Sequence, residues 1–157
     1  MTSRRRFLAL VAGALAAANA RAQLDPNIAV KRRAALEAAI RKVTGGAPAR
    51  AGKVKLEVPP LIDNGNAVPV TVAVESPMTA AEHVKTIHLL TEKNPQPHVL
   101  SAHLGPRAGR ASVSTRMRLA DSQKVVAIAQ LSDGSLWSDT VDVIVTLAAC
   151  LEDSVPP

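Results

Sequence analysis

Aromatic residues are nearly missing from this chain: Phe7 and Trp137 stand alone, and there is no tyrosine. Proteins that stack nucleic-acid bases on a sheet or along a single-strand channel need aromatic platforms, so that class of function is excluded. Cysteine occurs once, at Cys150. A single thiol leaves no internal disulfide and no multi-cysteine zinc or iron–sulfur site. Long hydrophobic runs are lacking as well. The apolar stretch 9–18 is too short to cross a bilayer as a helix. Acidic residues are absent from the first 22 positions.

What is present is ordinary for one globular domain: 157 residues, 47% hydrophobic and 20% charged. The formal charge of +6 suggests a nucleic-acid partner until it is divided along the chain. Arg4, Arg5, Arg6 and Arg21 all lie in the first 22 residues. Taking these four from 19 basic residues leaves 15 against 13 acidic ones, a net of about +2. That is too little for a surface that tracks phosphates, and no nucleic-acid partner is expected.

The basic opening is a targeting segment. Ser3, Arg4, Arg5, Phe7 and Leu8 spell Ser-Arg-Arg-x-Phe-Leu, a close match to the twin-arginine export signal. The run 9–18 has the length of an h-region, and Ala18-Asn19-Ala20 and Ala20-Arg21-Ala22 offer small-residue cleavage sites. Cleavage after Ala22 is preferred and leaves Gln23 first. The expected location is the periplasm, with no stable membrane association after cleavage. Twin-arginine substrates cross folded, so a cofactor inserted beforehand or a partner carried along is expected. The mature sequence offers little to hold a cofactor, and none is expected. A folded partner subunit is the better explanation.

Asp25-Pro26 reads as an N-cap followed by proline at the first helical position. Leu36, Ala39, Ile40 and Val43 then recur with a helical period, and Gly45-Gly46 ends the element. Residues 48–52 read as a linker. From Lys53 the period changes to two: Val54, Leu56 and Val58, then Val68, Val70, Val72 and Val74 after an Asp63-Asn64-Gly65-Asn66 turn. Further strands are predicted over 84–90, 99–104, 111–119, 125–131 and 136–147. In the fifth strand Val113, Thr115, Met117 and Leu119 share a face. Ser132-Asp133-Gly134-Ser135 joins the last two as a hairpin. The pattern predicts an all-β immunoglobulin-like sandwich of about seven strands with an N-terminal α-helix. The expected organisation is a signal peptide at 1–22, the helix at 23–46, the sandwich at 53–149 and a tail at 150–157.

Few residues carry chemistry. Cys150 closes the last strand, with no Lys, Arg or His within several residues to favour a thiolate. Its activation therefore has to come from a partner. From position alone it is either a buried small side chain or a reactive thiol near the chain end. His83, His88, His98 and His103 show no helical metal pair, and no acidic or sulfur ligand recurs at metal spacing. His83 and His103 are placed to meet across strands, but no metal site is expected. Arg116 and Arg118 are assigned to one strand face, near Arg107 and Arg110, as a solvated surface. No nucleophile elbow, Ser-His-Asp grouping or P-loop appears, and an enzyme is not expected.

Several runs in order resemble the SoxY family of sulfur-compound carriers. They are Asn64-Gly65-Asn66-Ala67-Val68-Pro69-Val70, Val74-Glu75-Ser76-Pro77-Met78-Thr79 and His83-Val84-Lys85. Ser114-Thr115-Arg116-Met117-Arg118-Leu119, Ala129-Gln130-Leu131-Ser132-Asp133-Gly134 and the helix end Val43-Thr44-Gly45 continue the likeness, as does the leader. The resemblance implies a heterodimer with a SoxZ-like subunit exported with this chain. It implies a place in periplasmic thiosulfate oxidation, with sulfur intermediates carried covalently on a cysteine of a flexible C-terminal arm, here Cys150. The resemblance further implies transient contacts with a c-type cytochrome, which in the family joins thiosulfate-derived sulfur to the thiol, and with a sulfate-releasing hydrolase, which acts on the adduct.

One stretch departs from the family. Its arm reads Gly-Gly-Cys-Gly-Gly, whereas here Ala148-Ala149-Cys150-Leu151-Glu152 stands, followed by five more residues. Glycines make an arm thin and flexible enough for a narrow channel. Ala-Ala is stiffer, and Leu151 adds bulk beside the thiol. The alternative is a non-carrying, SoxY-like scaffold or binding subunit whose Cys150 is buried or forms a disulfide between chains. A periplasmic metal chaperone using the histidines and Met78 is a third class.

Overall fold

A computed structural model of the protein describes residues 27–148. It begins with helix α1 at Ile28–Thr44. Leu36 is its buried residue, and Ala39, Ile40 and Val43 lie half-buried along the same stripe. The helix stops where its backbone turns left-handed. Gly45 and Gly46 take φ of 64° and 84°, and the Gly46 N–H returns to the Arg41 carbonyl at 3.1 Å. Only glycine adopts two such conformations in succession without strain. The N-cap expected at Asp25-Pro26 lies outside the described residues.

Nine strands follow: β1 Arg50–Ala51, β2 Val54–Glu57, β3 Leu61–Ile62, β4 Val68–Val74, β5 Val84–Thr91, β6 His98–His103, β7 Ser112–Met117, β8 Gln123–Leu131 and β9 Leu136–Val145. They form a large sheet in the order β1-β9-β8-β5-β6, with β3 also paired to β9, and a small sheet β2-β4-β7. All pairings are antiparallel except those of β1 and β3, which lie parallel to β9. The chain thus starts at the edge of the large sheet, crosses to the small one as β2, and returns as β3.

The inner faces of both sheets make the main core. Val54, Leu56, Val68, Val70, Val72 and Val74 of the small sheet face Ile87, Leu89, Val125, Ala127, Ala129 and Val143 of the large one. On the large sheet's other face, Leu90, Val126, Ile128 and Leu136 receive α1 through Leu36. Strand β8 is therefore covered on both sides. Its Val125-Val126-Ala127-Ile128-Ala129 run is continuously apolar for that reason, while β4 alternates.

The immunoglobulin-like sandwich with its N-terminal helix is as the sequence predicts, with three local corrections. Two short strands join the seven expected. One, β1, falls in the supposed linker and pairs Arg50 with Trp137. The other, β3, pairs Leu61 with Ile144. Strand β7 ends at Met117, two residues short of the predicted end, so Arg118 stands just beyond the strand, exposed like Arg116. The Arg118 carbonyl accepts a hydrogen bond from the Asn94 amide at 2.8 Å.

Candidate functional site

Strand β9 delivers the chain to its C-terminal end, and the last turn before that end is pinned. The Ile144 N–H bonds the Pro60 carbonyl at 2.9 Å, and the Thr146 N–H bonds the Ile62 carbonyl at 2.9 Å. The Gly65 N–H then bonds the Leu147 carbonyl at 2.8 Å, and the Leu119 N–H bonds the Gly65 carbonyl at 2.8 Å. The Asp63–Asn66 turn supporting this knot is closed by Asn64, whose Oδ1 accepts the Asn66 N–H at 2.9 Å. Cys150 itself lies outside the described residues, as do Ser3, Arg4, Arg5, Phe7 and Leu8. In the sequence two residues, Ala148 and Ala149, separate it from Leu147.

The surface beside the end of β9 is apolar. Leu61 and Ile144 are register partners, and they and Leu147 are among the large hydrophobic side chains left exposed. The opposite end of β9 carries Trp137, which is half-buried. The Arg50 guanidinium carbon sits 4.7 Å and the Lys53 ammonium 5.5 Å from its ring centre. The indole N–H donates to the Ser135 hydroxyl at 3.1 Å.

The histidines meet in a different combination from the one expected. His83 precedes β5 and turns its Nδ1 toward the Thr79 carbonyl at 3.2 Å. His103 pairs across to Thr86, with 3.2 Å between Nδ1 and the hydroxyl. A bulge at Leu89/Leu90 slips the β5–β6 register and brings His98 opposite Leu90. The Ser101 hydroxyl then lies 2.6 Å from His88 Nδ1 and 2.9 Å from His98 Nε2. One hydroxyl proton serves only one of these nitrogens, so the oxygen accepts from the other ring. Burial, together with the charges of His98 and His103, holds the His88 pKa below its ordinary 6.5. Among the described residues no group of His, Cys, Asp or Glu is arranged to hold a metal ion, and no helix is long and apolar enough to cross a membrane. An open groove of about 410 Å³ lies along Glu57, Val58, Pro59, Pro69, Val70 and Thr71, and its polar side chains are the Glu57 carboxylate and the Thr71 hydroxyl.

The strand order, the small second sheet and the helix-covered face define an immunoglobulin-like sandwich whose last strand leads into a single cysteine. Residues 40–150 match the family described as sulfur oxidation protein SoxY, a match that ends on Cys150. The sulfur carrier protein SoxY from Chlorobium limicola f thiosulfatophilum is similar at 30% identity with a TM-score of 0.61, over 72% of this chain and 93% of that one. The chain belongs to the SoxY family. A superoxide reductase from Ignicoccus hospitalis matches at 21% identity and a TM-score of 0.54, over 59% of this chain and 79% of its own. A putative superoxide reductase from Thermotoga maritima matches at 19% and 0.52, over 62% and 87%. These two likenesses concern the fold alone. No curated protein matches the chain.

Proposed function

We propose that this chain is a periplasmic carrier subunit that holds sulfur intermediates covalently on Cys150 during thiosulfate oxidation. It is exported by the twin-arginine route with a SoxZ-like subunit as its heterodimeric partner. The observation that carries the reading is the pinned end of β9 within a family match that runs to residue 150, so that the lone thiol follows a fixed anchor.

The chemistry balances without a cofactor in this chain. A c-type cytochrome takes two electrons as the Cys150 thiol loses its proton and its sulfur bonds to the terminal sulfur of thiosulfate. Hydrolysis of the adduct then breaks the bond between the outer sulfane sulfur and the sulfonate group. Water supplies the oxygen, sulfate leaves, and a persulfide remains on Cys150. The chain performs no turnover by itself; it presents the thiol to successive enzymes, the cytochrome and the sulfate-releasing hydrolase.

A second reading is favoured by one sequence observation, the Ala148-Ala149-Cys150-Leu151-Glu152 context in place of glycines. In it the chain is a non-carrying scaffold with Cys150 buried or disulfide-bonded between chains. Cys150→Ser separates the two. On the carrier reading the variant folds, pairs with its partner and supports no thiosulfate oxidation in the reconstituted system. Normal oxidation by the variant overturns the carrier reading.

A further inference from the structure

The side of the sandwich between β6 and β7 differs from the rest of the surface in three respects. Both strands end their sheets: among the described residues β6 pairs only with β5 and β7 only with β4. Each therefore presents a row of backbone N–H and C=O groups without a strand partner, a template for another chain. Apolar side chains along these edges stay half-buried although they touch the core, namely Leu100, Ala102, Leu104 and Val113. The charge, finally, is of one sign.

From position 98 to position 120 the chain carries Arg107, Arg110, Arg116, Arg118 and two histidines but no Asp or Glu. Elsewhere among the described residues 11 basic side chains face 10 acidic ones. Nearly all the excess charge of the described residues thus sits on this side. All four arginines are exposed, and none pairs with a carboxylate among the described residues. Arg107 and Arg110 stand in the connection from β6 to β7, Arg116 lies on β7, and Arg118 follows its far end. Together they rim the open side.

We propose that this side is the docking surface for a partner protein that lays a strand along it and faces the arginines with carboxylates. A second copy of this chain would set the same arginines against each other, which like-charge repulsion opposes. A lipid or nucleic-acid surface offers anions but no strand to complete the backbone ladders. Half-buried apolar edges suit permanent cover, so the occupant is the SoxZ-like subunit of the proposed heterodimer; in this the inference rests on the carrier reading. The acidic face expected on that subunit is the new element.

The test uses the full chain co-produced with its SoxZ-like subunit. Arg107→Glu, Arg110→Glu and Arg116→Glu together should weaken the complex at least tenfold, while Arg41→Glu on α1 leaves it unchanged. Far-ultraviolet circular dichroism and Trp137 fluorescence verify that the variants fold. Raising salt should weaken the wild-type complex, and hydrogen exchange should show β6 and β7 amides protected only in the complex. A complex of unaltered affinity in the triple variant, or protection confined to other strands, overturns the docking surface and leaves the carrier reading standing. No complex between folded chains removes the heterodimer and this occupant with it. Self-association through β6 and β7 assigns the side to a second copy and overturns the proposal.

Discussion

The Asp139 carboxylate of β9 accepts a hydrogen bond from the Leu56 backbone N–H of β2 at 2.8 Å, so one side chain ties the large sheet to the small one. Asp139 lies between the stretches of β9 covered by β1 and β3, at Trp137 and Ile144. Its other oxygen accepts the Thr140 N–H at 2.8 Å. Removing the acceptor leaves the Leu56 N–H without its partner. Asp139→Ala is expected to destabilise the fold by about 1–3 kcal/mol, and Asp139→Asn, which keeps an acceptor, by less. Urea unfolding of the two variants checks the order.

Gly52 adjoins β1 with φ +135°, and a Cβ there would stand 2.9 Å from Trp137 Cζ3. Neither the conformation nor the space admits a side chain. Gly52→Ala is expected to cost about 1–3 kcal/mol and to displace the indole from its cation contacts. Trp137 is the only tryptophan, so its emission spectrum reports the displacement directly. An unshifted spectrum at unchanged stability would show that the turn relaxes freely.

Leu36 is the buried residue through which α1 contacts the outer face of the large sheet. Leu36→Ala should cost about 2–3 kcal/mol, toward the low end for a leucine because the cluster lies under a single helix and can partly close. Thermal unfolding measures the loss. Amide exchange should speed up along α1 more than in β8.

The lowered pKa of His88 fixes the sign of one pH effect. Above 6.5 the ring is neutral folded and unfolded, and its contribution is constant. As pH falls below 6.5 the unfolded chain takes up the proton first, so stability declines until pH passes the folded pKa. His88→Gln should flatten that decline. A ring titration by NMR should place His88 below 6.5, and a value above it would remove the effect.

Much of this architecture is legible in the sequence, because the covered faces write their periods into it. Leu36, Ala39, Ile40 and Val43 mark the face of α1, and Val68, Val70, Val72 and Val74 mark the inner face of β4. Strands β1 and β3 leave no such mark. At two residues each they are held by backbone pairing to β9, which any side chain permits, and so Arg50–Ala51 passes for linker. The histidine grouping depends on the β5–β6 bulge, a register shift with no sequence period. The Asp139 tie joins positions 83 residues apart. The β6–β7 side shows the opposite case: its run free of Asp and Glu is visible in the sequence, but only the strand order makes it one surface.

The measurement that tests the central claim most directly is the intact mass of the protein from the periplasm of thiosulfate-grown cells, before and after reductant. The account predicts reducible additions of thiosulfonate or sulfane sulfur, located by peptide mapping to Cys150. An unmodified thiol that alkylating reagents reach only after denaturation would contradict it, and the chain would then be a SoxY-family subunit that carries no sulfur.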